Sequence, residues 1–120
     1  RNHIRLDRMR GRSDDMIVLR GVNIFPIQIE KILMQFKELA SNYLITLTTD
    51  DDNDNMTVEV ELEELFTDDF QRLLALEKDI KRRLKDEILL TPHVKLVPKG
   101  TLPVSEGKAV RVIDKRKVYQ

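Results

Sequence analysis

The residues best suited to chemistry in this chain are two cations, each of which directly follows a glycine. Arg12 lies in a charged turn, and its planar guanidinium can hold a phosphate or a carboxylate through two hydrogen bonds. Lys108 lies in a loop and carries a compact charge on a long flexible stem. The plainer alternatives are that Arg12 pairs with Asp14 or Asp15 and that Lys108 is merely solvated. By themselves these residues indicate anion binding without identifying an activity.

The sequence does not assemble a complete active site. It contains no recognisable nucleophile–base pair, phosphate-cradling glycine loop or metal cluster. The absence of cysteine excludes disulfides, thiol chemistry and cysteine zinc sites. His3 and His93 have no second ligand at metal-binding spacing, so we expect no metal site. The run Asp50–Asn55 lacks the glycine and the distal glutamate of a calcium loop and predicts a plain hairpin turn.

Both ends of the chain are basic and its middle is acidic, although 21 basic and 21 acidic residues balance overall. Residues 1–20 hold six arginines against three aspartates, and residues 95–120 hold seven bases against two acids. Residues 41–66 hold eight acids and no base. This asymmetry suggests that one surface meets an anion while another faces water. The alternative is that the charged runs are simply solvated surfaces.

The length and composition predict one globular domain. The chain has 120 residues, of which 41% are hydrophobic and 35% are charged. It has no run near the roughly 20 apolar residues that cross a bilayer, and nothing in it resembles a signal peptide. We therefore expect a cytoplasmic domain that contacts no membrane. Because the sequence opens at Arg1 without an initiator methionine, we expect it to be part of a longer chain.

A short hairpin followed by a helix is predicted near the start. Apolar strands over Met16–Leu19 and Val22–Phe25 are separated by Arg20 and Gly21. Proline suits the first turn of a helix, and the next segment, Pro26 to about Glu38, has helical periodicity. Its apolar stripe comprises Ile29, Ile32, Leu33 and Phe36.

The rest of the chain predicts three strands and a second helix. Tyr43–Thr48 reads as a buried strand, whereas Met56–Leu62 alternates and places Glu61 with Thr57 and Glu59 on a water-facing side. Thr67 is the predicted cap of the helix, and Val94–Val97 is a last core strand. The predicted buried stripe of the helix comprises Phe70, Leu73, Leu76, Ile80, Leu84 and Ile88.

These elements predict an α+β fold. Two helices pack on one face of a mostly antiparallel three-stranded sheet, because this arrangement covers both apolar stripes. The N-terminal β-hairpin precedes this unit. A loop containing Gly100, Pro103 and Gly107, followed by a basic tail, completes it.

Two segments carry longer patterns. Residues 11–30 read Gly-Arg-Ser-Asp-Asp-Met-Ile-Val-Leu-Arg-Gly-Val-Asn-Ile-Phe-Pro-Ile-Gln-Ile-Glu, and residues 102–112 read Leu-Pro-Val-Ser-Glu-Gly-Lys-Ala-Val-Arg-Val. The first resembles the hinge motif that opens the C-terminal domain of adenylate-forming enzymes, a group that includes acyl-CoA synthetases, adenylation domains and luciferases. Its second half, residues 20–30, looks more narrowly like phenylacetate–coenzyme A ligases. The second segment is similar to the terminal lysine motif of the same family.

The resemblance implies a two-step ligase. A carboxylic acid, phenylacetate in the narrower family, reacts with ATP and Mg2+ to give an acyl-adenylate and pyrophosphate. Coenzyme A (CoA) then displaces AMP and forms the thioester. Residues 1–120 would be the C-terminal lid domain, which rotates against an absent N-terminal adenylation domain. We expect the isolated domain to be inactive and to have no ligand bound.

The resemblance also implies roles for individual residues. Lys108 would be the catalytic lysine that enters the active site for adenylation, and Asp14 would be the hinge residue. Arg12 would help to bind the nucleotide phosphate. Arg20 and Gly21 would line the tunnel for the pantetheine arm of CoA, where a glycine permits close approach to the backbone.

The alternative from another class is a free-standing α/β-sandwich module that binds nucleic acid or a small regulatory ligand. The strands lack solvent-facing aromatic residues for base stacking, since Tyr43 and Phe66 are isolated. A regulatory module would leave the pattern of residues 11–30 without a role. We therefore expect no nucleic-acid partner.

Overall fold

The structure, a computed structural model, describes residues 3–5, 8–10, 16–63, 69–105, 108–109 and 111–119. Side chains are described for residues 16–63, 69–103 and 111–116. The elements are β1 (His3–Arg5), β2 (Arg8–Arg10), β3 (Ile17–Leu19), β4 (Val22–Ile24), α1 (Pro26–Leu33), β5 (Leu39–Asp50), β6 (Asn53–Leu62), α2 (Phe70–Ile88), β7 (His93–Val97), β8 (Val104–Ser105), β9 (Lys108–Ala109), β10 (Val112–Lys115) and β11 (Lys117–Tyr119).

The α+β fold class is confirmed, with both helices on one face of a central sheet. The helices bury their apolar stripes against the same side of β5 and β6, so that one continuous core lies between the two layers. Its fully buried members include Ile29, Leu33, Ile45, Val58, Val60, Ile80 and Leu84.

The central sheet has five strands and not three, in the order β2-β10-β5-β6-β7. It is also mixed. The β5–β6 and β2–β10 pairs are antiparallel, whereas β6–β7 and β5–β10 are parallel. The β6–β7 pair is parallel because α2 connects them, and a strand–helix–strand crossover brings the chain back in the same direction.

The basic tail is part of the sheet and not a solvated extension. Its strand β10 covers the edge of β5, where Val112 is completely buried in the main core. Ile113 packs on the opposite face. The high charge of the tail concealed this short apolar pair in the sequence. Pairing with β10 satisfies the backbone groups that β5 would otherwise expose at its edge.

Both helices begin or end at residues other than those predicted. Helix α1 ends at Leu33, before the predicted Glu38, because Gln35 and Phe36 donate to carbonyls three residues back and tighten the chain into turns. Asp69 is the N-cap of α2 and accepts from the N–H of Arg72 at 3.1 Å. The predicted cap, Thr67, lies outside the described residues.

The stripe of α2 is confirmed from its second turn onwards. Leu76, Ile80, Leu84 and Ile88 are buried, and Leu73 is partly buried against the same core. Phe70 is 72% exposed, and its prediction as a core residue was wrong. It is the first residue of the helix and precedes the part of α2 that packs on the sheet.

The polar run between β5 and β6 is a hairpin turn, as predicted. Asp50 pairs with Asn53, and the two residues between them, Asp51 and Asp52, have φ angles of 50° and 67°. These left-handed angles define a two-residue turn whose twist matches that of the strands. Neither described helix is long and apolar enough to cross a membrane.

Candidate functional site

The turn predicted to face CoA is the tip of the β3–β4 hairpin. Leu19 pairs with Val22, which leaves Arg20 and Gly21 as a two-residue turn with φ angles of 51° and 77°. An L-residue in this left-handed conformation costs about 1 kcal/mol, and glycine adopts it freely. The side of the hairpin that faces the core is completely buried at Ile17. A rigid hairpin thus presents an exposed tip.

Gly21 offers open backbone at this tip. A Cβ atom placed on it would meet no other atom within 4 Å, so local packing does not require glycine. The positive φ angle does favour it. A thin ligand can therefore approach the backbone of Gly21 from solvent.

The guanidinium of Arg20 ties the tip to the start of β6. Its Nε donates to the carbonyl oxygen of Asp54 at 2.8 Å, and its Nη2 donates to Asn55 Oδ1 at 2.7 Å. These bonds fix the side chain and help to offset the cost of its backbone conformation. In this structure Arg20 positions the turn.

A second arginine, Arg116 in the connection between β10 and β11, holds the same hairpin. Arg116 Nη1 donates to the carbonyl of Val18 in β3 at 2.6 Å and lies 3.7 Å from Asp54 Oδ2. Asp114, which is 2% exposed, accepts from Arg116 Nε at 3.0 Å, from Nη2 at 2.8 Å and from the backbone N–H at 3.1 Å. These hydrogen bonds raise the pKa of Arg116, although burial opposes the shift.

Lys108 opens strand β9 of a second hairpin. Its backbone pairs with Ser105 of β8, and Ala109 pairs with Val104. The chain enters this hairpin through Leu102 and leaves it through Arg111, and both residues contact the central sheet. The position of Lys108 thus depends on these two connections.

Leu102 is anchored by a buried carboxylate at the end of β6. Its N–H donates to Glu61 Oε2 at 2.9 Å, and its side chain packs with Leu44 on the face of the sheet opposite the helices. Burial would raise the pKa of Glu61, but hydrogen bonds from Gly100, Leu102 and Asn42 and the charge of Lys99 together lower it. Glu61 is therefore ionised at neutral pH.

The prediction that Glu61 faces water was wrong, since it is 1% exposed. The alternation of β6 correctly places it opposite the main core. The loop of residues 98–103 then covers that second face. The alternation of apolar and polar residues along β6 does not predict that a distant loop will bury the polar side.

Arg111 anchors the exit from the second hairpin. Its guanidinium lies over the ring of Tyr43, 4.6 Å from the centroid, and its Nη1 donates to the carbonyl of Ser41 at 3.3 Å. Its own carbonyl accepts from the N–H of Ile45 at 2.8 Å. These contacts lie near the start of β5.

The two hairpins therefore attach at opposite ends of the β5–β6 pair. The Arg20–Gly21 tip contacts Asn55 near the turn, whereas the Lys108 hairpin is anchored at Glu61. At about 3.3 Å per residue along β6, these two anchor points are roughly 20 Å apart. The fold thus anchors the two hairpins at separate places on the central sheet.

The remaining predicted site residues, Arg12 and Asp14, lie outside the described residues. Among the side chains that the structure describes, no group of three or more acidic or histidine residues is arranged to hold a metal ion. The sequence did not single out Arg116 or Glu61 as important. In the sequence, Glu61 alternates with apolar residues and shares its sheet face with Thr57 and Glu59, a pattern that also fits a solvated glutamate.

The α+β domain, with its two separately anchored hairpins, fits the C-terminal domain of an adenylate-forming enzyme, and the family comparison identifies it as such. Residues 21–116 match the sequence model of the family described as the AMP-binding enzyme C-terminal domain, and the chain belongs to this family. Membership favours the ligase interpretation over that of a free-standing binding module.

Relatives of known activity that match this chain are phenylacetate-coenzyme A ligases. The chain is 36% identical over 115 residues to the phenylacetate-coenzyme A ligase of Escherichia coli (strain K12), a match that covers 95% of this chain and 26% of the relative. The chain thus spans about a quarter of the length of that ligase.

Solved structures agree in fold. A crystal structure of a domain of phenylacetate-coenzyme A ligase from Bacteroides vulgatus ATCC 8482 has 68% identity and a TM-score of 0.83, over 89% of this chain and 98% of that chain. The chain in that crystal structure is thus a domain of about the same extent as this one. A 2-hydroxyisobutyryl-CoA ligase has 28% identity over 88% of this chain and 22% of its own, with TM-scores of 0.76 in its thioesterification state and 0.71 in a postadenylation state.

Proposed function

We propose that residues 1–120 form the mobile C-terminal lid domain of an ATP-dependent, AMP-forming acyl-CoA ligase that activates phenylacetate or a similar aryl acid. In the first step a carboxylate oxygen attacks the α-phosphorus of ATP, and pyrophosphate leaves. In the second step the CoA thiol attacks the acyl carbon, a thioester bond forms, and AMP leaves with the bonding electrons. The lid requires its N-terminal adenylation domain for either step.

The observation that carries this proposal is the separation of the two hairpins. Their anchor points lie roughly 20 Å apart along β6, and we infer that the two hairpins reach the active site in different poses of the domain. A domain that rotates between two poses presents each hairpin in turn. The occurrence of related domains in a thioesterification state and in a postadenylation state supports this reading.

Lys108 is proposed to act in adenylation. A carboxylate and a triphosphate repel each other, and negative charge shifts onto the leaving pyrophosphate as the reaction proceeds. An ammonium delivered at that point stabilises the transition state. Arg12 is proposed to bind the nucleotide phosphate through its two-pronged guanidinium.

The Arg20–Gly21 tip is proposed to act in thioester formation. The exposed backbone of Gly21 gives the pantetheine arm of CoA room to pass, and Arg20 holds the tip in place. Asp14 is proposed as the hinge, which absorbs the change in backbone angles between the two poses.

ATP, CoA and an aryl acid are the proposed substrates, and their presence in the cytoplasm makes that compartment the proposed location. Mg2+ is proposed to arrive with ATP. We propose that the phosphates of ATP and the N-terminal domain coordinate it.

The test measures the two half-reactions separately in the full-length enzyme. Lys108→Ala is expected to slow phenylacetate-dependent ATP–pyrophosphate exchange by on the order of 10²-fold, and thioester formation from supplied phenylacetyl-adenylate is expected to stay within about twofold. Gly21→Leu is expected to show the opposite pattern, because its side chain obstructs the pantetheine path.

Two matched variants serve as controls. Lys95→Ala removes another exposed lysine, on β7, and is expected to change neither half-reaction. Gly21→Ala imposes the same backbone strain as Gly21→Leu with far less bulk, and it is expected to change CoA-dependent turnover much less. Equal losses in both half-reactions for Lys108→Ala, or a greater loss of exchange than of thioester formation for Gly21→Leu, would refute the assigned roles.

A further inference from the structure

We propose that Glu61 is a positioning residue for adenylation, which fixes the entrance to the hairpin that carries Lys108. The proposal rests on the proposed function of Lys108 and assigns to this domain a second residue on which the same half-reaction depends. Glu61 acts through the backbone of the hairpin and does not itself touch the reacting atoms.

The burial of Glu61 is the first observation. It is a carboxylate at 1% exposure on the face of the sheet that carries no helix. A buried carboxylate is costly unless hydrogen bonds compensate it, and an apolar residue of similar volume is often at least as stable in such a position. General stability therefore does not explain a glutamate here as well as a specific geometric task does.

The hydrogen bonds of Glu61 define that task. Oε2 accepts from the N–H of Leu102 at 2.9 Å, and Oε1 accepts from Asn42 Nδ2 at 3.4 Å. The N–H of Gly100 also donates to the carboxylate. Two backbone donors of one loop thus meet a single carboxylate, which fixes the direction of the chain and not merely its proximity.

The loop is also ordered internally. Thr101 donates to the carbonyl of Pro98 twice, from its N–H at 3.2 Å and from its hydroxyl at 2.6 Å. Leu102 then inserts beside Leu44, and Val97 and Ile113 pack around this second apolar cluster. The segment from Pro98 to Leu102 is therefore held by its own turn, by an apolar contact and by Glu61.

The geometry is transmitted directly to Lys108. Strand β8 begins two residues after Leu102, and its pairing with β9 sets Lys108 opposite Ser105. Arg111 fixes the other end of the hairpin on β5. A reacting group displaced by about 1 Å can lose on the order of 10²-fold in rate, so a loosened entrance is expected to affect catalysis before it affects folding.

The test compares half-reactions in the full-length ligase. Glu61→Gln keeps the shape and one acceptor but removes the charge. We expect the kcat of ATP–pyrophosphate exchange to fall by about 10-fold, which is less than the roughly 10²-fold loss expected when a reacting group is displaced by about 1 Å. The KM values for ATP and phenylacetate and the rate of thioester formation from supplied adenylate are expected to stay within about twofold. Asn42→Ala removes one donor and is expected to show the same selectivity with a smaller loss.

Matched controls separate positioning from stability. Glu63→Gln removes a neighbouring carboxylate that pairs with Lys99 of the same loop at 3.4 Å and whose side chain is 43% exposed. This variant is expected to change neither half-reaction. Val58→Ala weakens the core on the other face of β6, and any loss it causes is expected to be equal in both half-reactions.

A double variant gives the decisive outcome. If Glu61 acts through Lys108, Glu61→Gln causes no further loss of exchange in the Lys108→Ala background. A full further loss there, an equal loss in both half-reactions or no loss for Glu61→Gln would overturn the positioning role and leave the proposed function intact. Absence of both half-reactions in the wild-type enzyme would instead overturn the proposed function itself.

Discussion

Replacing Arg116 is expected to destabilise the domain far more than replacing other arginines. Arg116→Met keeps most of the length of the side chain and removes its charge and hydrogen-bond donors. Asp114, which is 2% exposed, then loses two side-chain hydrogen bonds, and the carbonyl of Val18 loses one. Breaking a buried ion pair from one side costs about 3 kcal/mol or more, because the remaining charge stays in the interior.

Urea unfolding of the isolated domain measures this effect. With a slope of about 1.5 kcal/mol per molar urea, a loss of about 3 kcal/mol lowers the unfolding midpoint by about 2 M. The double variant Asp114→Leu/Arg116→Met removes both charges and is expected to recover much of the loss. A matched control, Arg82→Met, removes an exposed helix-surface pair with Asp79 and is expected to cost less than about 0.5 kcal/mol.

Two results would refute the reasoning about Arg116. A midpoint shift for Arg116→Met no larger than that for Arg82→Met would mean that the buried pair contributes little. A double variant at least as unstable as Arg116→Met would mean that the cost does not come from the carboxylate of Asp114 left in the interior.

Two further predictions concern pH. Burial, aided by the charge of Glu30 and opposed by Arg111, raises the pKa of Tyr43 to about 12, so stability is expected to be complete below pH 10 and to fall as pH rises towards 12. The hydroxyl of Tyr43 has no hydrogen-bond partner among the described residues. Tyr43→Phe should therefore abolish the ultraviolet titration of this hydroxyl without lowering stability. A Tyr43 hydroxyl that titrates near pH 10 would contradict this prediction. The folded-state pKa of Glu61 is lowered, so the ionised carboxylate is expected to stabilise the fold above its ordinary pKa of 4.5. This stabilisation is lost as the pH falls through the folded-state pKa, and the unfolding free energies of wild type and Glu61→Gln should therefore converge in acid. A difference between them that does not change with pH would contradict this prediction.

The sequence determined the local elements of this domain because their signals are local. The spacing of Ile80, Leu84 and Ile88 defines one face of a helix wherever that helix packs. Proline at the first turn of α1 and the Arg20–Gly21 break in the hairpin depend only on backbone angles. The two motifs likewise identified the family through residues close together in the chain.

The tertiary structure alone decided what depends on contacts distant in sequence. Strand β10 enters the sheet because β5 has an edge to cover, and nothing within residues 112–115 announces that partner. Glu61 becomes an anchor because a loop some 40 residues later folds over it, as its bond to Leu102 shows. The separation of the anchor points of the two hairpins arises in the same way, because it depends on where along β6 each distant segment binds.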